Sequence, residues 1–216
     1  MKVSIVIIIL FISTSLLAGE TLNYSTYAEG SNEIVSRTAF QIDDIQNGLI
    51  HVEWQSFVSG RYVKHVLNGE FANIEWHAIT PNENTDYLGE RIENTLVLNG
   101  TFKGKKINKI IRLDENPFFC HPILGLSEFA RSPHQSCEFW ILRPDNLAKY
   151  KLEALKLDVE YITVDCKKIK AIKVRWGLRG ILSKLFSQTF WFRVSDGVFI
   201  KSQPSRGEFT VLTNEL

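Results

Sequence analysis

The chain has 216 residues, of which 44% are hydrophobic, 12% aromatic and 23% charged. This length is enough for one domain with a substantial core. Lysine and arginine total 25 against 24 aspartates and glutamates, so the net charge of +1 lacks the basic excess needed to bind phosphates, and nucleic acid is excluded as an expected partner.

Residues 1–18 have the pattern of a secretory signal peptide. Lys2 precedes an apolar run over residues 3–17, and Ala18-Gly19 is a small-residue cleavage site. We expect the mature protein to be periplasmic or secreted and to meet the membrane only through this peptide. The alternative is an uncleaved anchor, because the run is close to the minimum length of a membrane span.

The stretch from Glu20 to Leu113 predicts successive antiparallel strands. Turn dipeptides separate apolar runs, which is the pattern of β-hairpins; they are Asn47-Gly48, Ser59-Gly60, Asn68-Gly69 and Asn99-Gly100. Pro81 to Thr85 is predicted to be a polar loop, and Arg91 to Asn99 a strand. Regular turns between short strands are typical of a meander, sandwich or barrel.

Residues 116–137 interrupt this rhythm. The segment contains three of the six prolines, and residues 123–130 favour a short helix with one apolar side. It is too apolar for an ordinary surface loop. We expect it to pack against the sheet as a lid or plug.

Strands resume after this insertion and continue to the C-terminus. They are predicted at 138–142, 149–155, 161–164, 169–176, 190–194, 198–201 and 208–212, with Asp196-Gly197 as a hairpin turn. The expected fold is mainly β: an antiparallel meander over residues 19–216 that forms a closed or half-closed barrel of about eleven strands, with one or two short helices as a lid.

The three cysteines are Cys120, Cys137 and Cys166. Cys120 and Cys137 bracket the insertion and are the favoured disulfide pair, which would add about 3 kcal/mol by closing a loop of that size. Cys166 would then be free and buried in a strand. The other two pairings, or three reduced thiols, remain open.

The histidines do not form a ligand motif. His51, His65 and His77 lie on successive predicted strands, so a metal site is geometrically feasible, but solvated or hydrogen-bonded histidines are favoured. Adjacent residues of an extended chain point apart, so Cys120 and His121 cannot themselves be nucleophile and base. No metal, cofactor or catalytic residue is assigned, and a non-enzymatic role is favoured over an enzyme.

Aromatic side chains occur in almost every predicted element. They form either a packed core or the wall of an apolar cavity inside a barrel, which would bind a lipid or another apolar small molecule. The residues expected to line such a cavity are Trp54, Trp76, Phe139, Leu152, Phe190 and Phe192.

The second half of the chain resembles a known architecture. The elements that carry the likeness are Phe139 to Pro144, Tyr150 to Ala154, Cys166 to Ile169 and Thr189 to Lys201 with the strand after Gly207. Over roughly Lys106 to Leu216 the order is similar to that of secreted bacterial β-proteins of a domain of unknown function. The resemblance implies the half-barrel architecture of periplasmic lipoprotein carriers, from which the insertion and the cysteines depart.

Three functional hypotheses follow. The first is an exported, non-enzymatic envelope protein that binds a lipid or acyl chain in a β-barrel cavity. The second is an interaction or assembly module with a packed core, whose envelope protein partner docks on an edge strand or on the insertion. The third is a hydrolase at the barrel mouth, which requires His121 or His134 to converge with an acid.

Overall fold

The computed structural model describes residues 19–46, 48–164, 166–180, 186–204 and 207–213. The predicted signal peptide, residues 1–18, lies outside the described residues. Within them the chain forms one helix, α1 (Pro122–Arg131), and fourteen strands: β1 Thr21–Tyr27, β2 Ile34–Gln46, β3 Leu49–Ser56, β4 Tyr62–Leu67, β5 Asn73–Thr80, β6 Thr85–Ile92, β7 Thr95–Phe102, β8 Lys105–Arg112, β9 Ser136–Leu142, β10 Lys149–Val164, β11 Lys167–Gly177, β12 Ser187–Arg193, β13 Phe199–Pro204 and β14 Phe209–Leu212. No helix in these ranges is long and apolar enough to cross a membrane.

All the strands belong to one antiparallel sheet. Its order is β8-β7-β6-β5-β4-β3-β2-β1-β14-β13-β12-β11-β10-β9, so the first and last strands pair in the middle while β8 and β9 are the two edges. The sheet curves around a single hydrophobic core to which nearly every strand contributes. The predicted β-meander is confirmed in its half-closed form, with fourteen strands in place of about eleven.

The β6 strand corrects two sequence expectations. It occupies Thr85–Ile92, so the predicted strand over 91–99 in fact contains the turn between β6 and β7. Gly100 does not end a strand; it lies within β7 at a φ of 139°. A Cβ at Gly100 would meet the carbonyl oxygen of Asp86 at 2.4 Å, so glycine is required by the close approach of β6.

Two predicted hairpins are wider than two-residue turns. Asn68 Oδ1 accepts hydrogen bonds from the backbone N–H of Glu70 at 3.0 Å and of Ala72 at 2.9 Å, so β5 begins only at Asn73. Asp196 caps the β12–β13 connection by accepting from the N–H of Val198 at 3.0 Å. Asparagine and aspartate thus set both turns through their side chains.

The insertion between β8 and β9 forms a plug inside the sheet. Its first part pairs with β9, because Phe119 N–H donates to Trp140 O at 2.9 Å and Trp140 N–H donates to Pro117 O at 2.8 Å. Helix α1 follows, and Leu124, Leu126 and Phe129 are among its six buried residues. A helix buried on most sides must be surrounded by other elements. Of the two expected arrangements, a lid or a plug, the insertion therefore forms the plug.

Candidate functional site

The turns that follow odd-numbered strands share one end of the sheet, because every neighbouring pair is antiparallel. We call this end the mouth; it includes the connections at 57–61, 81–84 and 143–148. Helix α1 reaches the opposite end, where Ser127 Oγ donates to Gly197 O at 2.7 Å. The plug therefore packs against the base at the β12–β13 connection, and the two pockets described next open at the mouth.

A pocket of about 470 Å³ opens at the mouth, and we call it the apolar pocket. The β9–β10 register places Ile141 opposite Tyr150, and Leu152 lies two residues farther on the same face. The complete lining is Ile141, Arg143, Tyr150, Leu152, Leu178 and Phe186. Its volume lies within the range of about 300–1,000 Å³ that is common for small-molecule sites.

A second pocket of about 240 Å³ opens at the same end, and we call it the polar pocket. Ser59, Arg61, Thr80 and Tyr87 are among its lining residues. Burial raises the pKa of Tyr87 to about 12, so its phenol is neutral at physiological pH. The pocket therefore offers hydroxyl groups, one guanidinium and the carboxylates of Glu83 and Asp145.

The 143–148 turn separates the two pockets. Arg143 lines the apolar pocket, whereas Asp145 lines the polar pocket. The two side chains join across the turn, with Arg143 Nε donating to Asp145 Oδ1 at 2.9 Å and Nη2 to Oδ2 at 2.5 Å. Chemically different cavities thus share one wall.

The six residues predicted to contact a ligand divide into two groups. Leu152 lines the apolar pocket and Trp54 the polar pocket. The other four are buried in the common core, where their rings contact the plug or one another: Trp76, Phe139, Phe190 and Phe192. The structure thus places Leu152 and Trp54 at open cavities and the other four within packed aromatic clusters.

A buried polar cluster lies where the plug meets β4 and β5. Asn73 Nδ2 donates to His65 Nδ1 at 3.0 Å, and Asn73 Oδ1 accepts from the backbone N–H of Cys120 at 2.7 Å. The rings of His65 and His121 are 6.2 Å apart. Burial lowers the pKa of His65 to about 3 and that of His121 well below its ordinary value, so both imidazoles are neutral.

The catalytic alternative finds little support in this cluster. Burial raises the pKa of the Cys120 thiol to about 11, so the nucleophilic thiolate is scarce at neutral pH. His134 is exposed in the connection after α1. Among the described residues, no group of three or more His, Cys, Asp and Glu side chains is arranged to hold a metal ion.

The structure corrects both cysteine expectations. Cys120, Cys137 and Cys166 are all free thiols, so the predicted Cys120–Cys137 disulfide is not formed. Phe118 pairs with Trp140 in parallel, which offsets the two cysteines by five residues, or about 16 Å of extended chain. A disulfide needs Cα atoms within about 7 Å. Cys166 is exposed at a turn with a φ of 65° and is not buried in a strand.

Sequence reasoning missed the residues that distinguish the two pockets. Arg61, Arg143, Tyr150, Leu178 and Phe186 are brought to the mouth by different hairpins, and no local motif marks them. One available signal was the position of Arg61 and Arg143 next to predicted turns. Loops at one end of a β-scaffold are common places for binding residues.

Comparison with known proteins supports the fold. No family model and no curated protein matches the chain. A β-barrel-like protein of the domain of unknown function DUF1849 from Brucella abortus has a similar structure, with a TM-score of 0.58 and 7% identity over 91% of this chain and 97% of that one. The hypothetical lipoprotein YmcC from Escherichia coli aligns with a TM-score of 0.36 and 8% identity, over 94% of this chain and 92% of that one.

The likeness to the DUF1849 protein confirms, at the level of the fold, the resemblance inferred from the second half of the chain. The similarity to the DUF1849 protein spans 91% of the chain, beyond the Lys106 to Leu216 region on which the expectation was based.

Proposed function

We propose that the chain is an exported, non-enzymatic envelope protein that binds an apolar ligand, a lipid or acyl chain, at the mouth of its half-closed barrel. Export rests on the signal-peptide pattern of residues 1–18. The ligand site rests on one observation, which is the apolar pocket of about 470 Å³. Its deepest wall is Leu152, which is 2% exposed and belongs to the common core.

The chemistry of this pocket favours hydrocarbon. Ile141, Leu152, Leu178 and Phe186 contribute apolar walls, and the charge of Arg143 is paired with Asp145. Transfer of apolar surface from water into such a site contributes about 25 cal/mol per Å² buried. An acyl chain gains most from this arrangement, since it has no polar groups that would lose hydrogen bonds on entry.

The direct test is uptake of N-phenyl-1-naphthylamine, a neutral apolar dye whose fluorescence rises on leaving water. We expect Ile141→Asp to weaken dye binding at least tenfold, because it places a carboxylate in the pocket wall. Ile92→Asp is the matched control, since Ile92 is 52% exposed on β6 and lines neither pocket. Absence of uptake by the unaltered protein, or equal binding by both variants, would overturn the proposal.

A protein-interaction module is the second candidate, and edge strand β8 favours it. Ile110 on this strand is 68% exposed, and β8 pairs only with β7 in the sheet order. Edge strands accept extended peptides by β-augmentation. Photocrosslinking from position 110 in the native host tests this candidate; a single reproducible protein adduct together with an empty apolar pocket would favour it.

A further inference from the structure

Arg61 is a half-buried cation without an acidic partner in the described part of the chain. Its guanidinium carbon lies 5.7 Å from the centre of the Trp54 ring, which holds it in the polar pocket by a cation–π contact. Its charge also acts inward. Burial is the main cause of the lowered pKa values of His65 and His121, and the charge of Arg61 lowers them further.

The nearby carboxylates do not cancel this charge. Asp145 also lines the polar pocket, but both of its oxygens are bonded to Arg143. Glu83 is exposed in the 3-10 turn Pro81–Glu83, where water screens its charge. Arg61 and Glu83 are therefore the two lining charges without an ion-pair partner among the described residues, and the half-buried one is the cation.

The remaining lining of the polar pocket suits an oxyanion. Ser59 and Thr80 bring hydroxyl groups. Tyr87 adds a phenol, which burial keeps protonated at physiological pH and so able to donate. A guanidinium binds a carboxylate or phosphate through two parallel N–H donors, so Arg61 supplies the strongest contact available here.

We propose that the polar pocket is the head-group subsite for an anionic amphiphile. A carboxylate or phosphate head pairs with Arg61, while the hydrocarbon chain lies in the apolar pocket beyond the 143–148 turn. This inference rests on the proposed function and deepens it, because it names the charge of the ligand. The volume of about 240 Å³ admits a compact head.

The test compares decanoate, decanol and inorganic phosphate by isothermal titration calorimetry at pH 8. We expect Arg61→Gln to weaken decanoate binding at least tenfold and to change decanol binding less than twofold. Arg112→Gln is the control for loss of one positive charge, because Arg112 has an exposed side chain on β8 and lines neither pocket. Arg61→Lys keeps the positive charge but lacks the two parallel N–H donors. Its affinity for decanoate should lie between those of the unaltered protein and Arg61→Gln.

The outcomes separate this inference from the proposed function. If neither decanoate nor decanol binds the unaltered protein, the proposed function and the head-group inference are both wrong. If both bind and Arg61→Gln does not discriminate between them, the head-group subsite is wrong and the apolar site stands. If phosphate binds through Arg61 while decanoate does not bind, the pocket is a free-anion site and the amphiphile inference is overturned. Unchanged thermal unfolding of Arg61→Gln and Arg61→Lys shows that a loss of binding is local.

Discussion

The indole Nε1–H of Trp140 donates a hydrogen bond of 2.7 Å to the carboxylate of Asp114. This bond joins the chain just after β8 to β9, the opposite edge of the sheet. Lys151 Nζ reaches the same carboxylate at 2.6 Å. Side chains thus hold together the seam that the sheet order leaves open, and they fix the hairpin that separates the two pockets.

Asp114→Asn should lower the free energy of unfolding by about 1 kcal/mol at pH 7, the value of a charged hydrogen bond reduced by solvent screening. Lys151 is the main cause of the lowered pKa of Asp114. The Asp114 carboxylate therefore contributes its full stabilisation when the pH is above the pKa that this group has in the unfolded chain. The contribution is lost as the pH falls below about 4. Urea unfolding at pH 7 and pH 3.5 measures it. Asp158→Asn, at an exposed site on β10, should have little effect; equal losses in the two variants would contradict the seam's role.

His65 and His121 should make the protein less stable in mild acid. Their folded pKa values are lowered by burial, so the unfolded chain binds more protons once the pH falls below about 6.5. The two histidines do not reduce the free energy of unfolding above that pH. Below it, each histidine lowers the free energy of unfolding by up to about 1.4 kcal/mol for every unit by which the pH falls. Urea unfolding between pH 7.5 and pH 5 gives the slope.

His121→Phe tests whether the plug histidine contributes to this slope. The His121 ring packs between Phe40 and Trp54, and its buried Nδ1 has no hydrogen-bond partner. A phenyl ring should keep the packing and remove one titrating group, so the variant should be as stable as the parent at pH 7.5 and less sensitive to acid. An unchanged slope would show that His121 is accessible to protons in the folded state.

Gly100→Ala should destabilise the protein by about 2–3 kcal/mol, because the methyl group would overlap the β6 backbone. The methyl carbon would lie 2.4 Å from Asp86 O and 2.7 Å from Tyr87 Cα. Gly69→Ala is the control, since a Cβ there meets nothing within 4 Å. Thermal unfolding of the two variants should differ clearly; similar midpoints would restore the sequence-based placement of a turn at Asn99-Gly100.

Thiol labelling should distinguish the three cysteines. Cys166 is exposed, whereas burial raises the pKa of Cys120 to about 11 and of Cys137 to about 12. We expect iodoacetamide to add one label to the folded protein and three to the protein unfolded without reductant. A single label after unfolding would mean that the Cys120–Cys137 disulfide forms after all.

Local turn chemistry made much of the fold predictable. Asn68 and Asp196 predict their hairpins because each is followed by glycine and its side chain accepts a backbone hydrogen bond from a residue two to four positions later. The sequence did not predict strand β6, because the contact that explains its composition is made with a residue of another strand. Gly89 breaks the alternation of β6, yet a Cβ there would lie 2.2 Å from the Trp76 ring, so the glycine makes room for a core side chain of β5.

The site was less predictable than the fold. Leu152 and Trp54 were expected at a cavity because they alternate with polar residues in their strands. Arg61 and Arg143 belong to hairpins far apart in sequence. The antiparallel order puts both at the mouth, but only the curvature of the whole sheet brings Arg61 and the turn after Arg143 to one pocket. Likewise, the spacing of Cys120 and Cys137 cannot show that Phe118 and Trp140 pair in parallel and hold the thiols apart.

Ligand binding at the mouth can be tested by native mass spectrometry of the protein purified gently from its own host. The intact mass is measured first, and the sample is then extracted with organic solvent. We expect one bound amphiphile per chain, with an acyl chain and an anionic head in the extract. A ligand-free protein that takes up neither fatty acid nor phospholipid would contradict it.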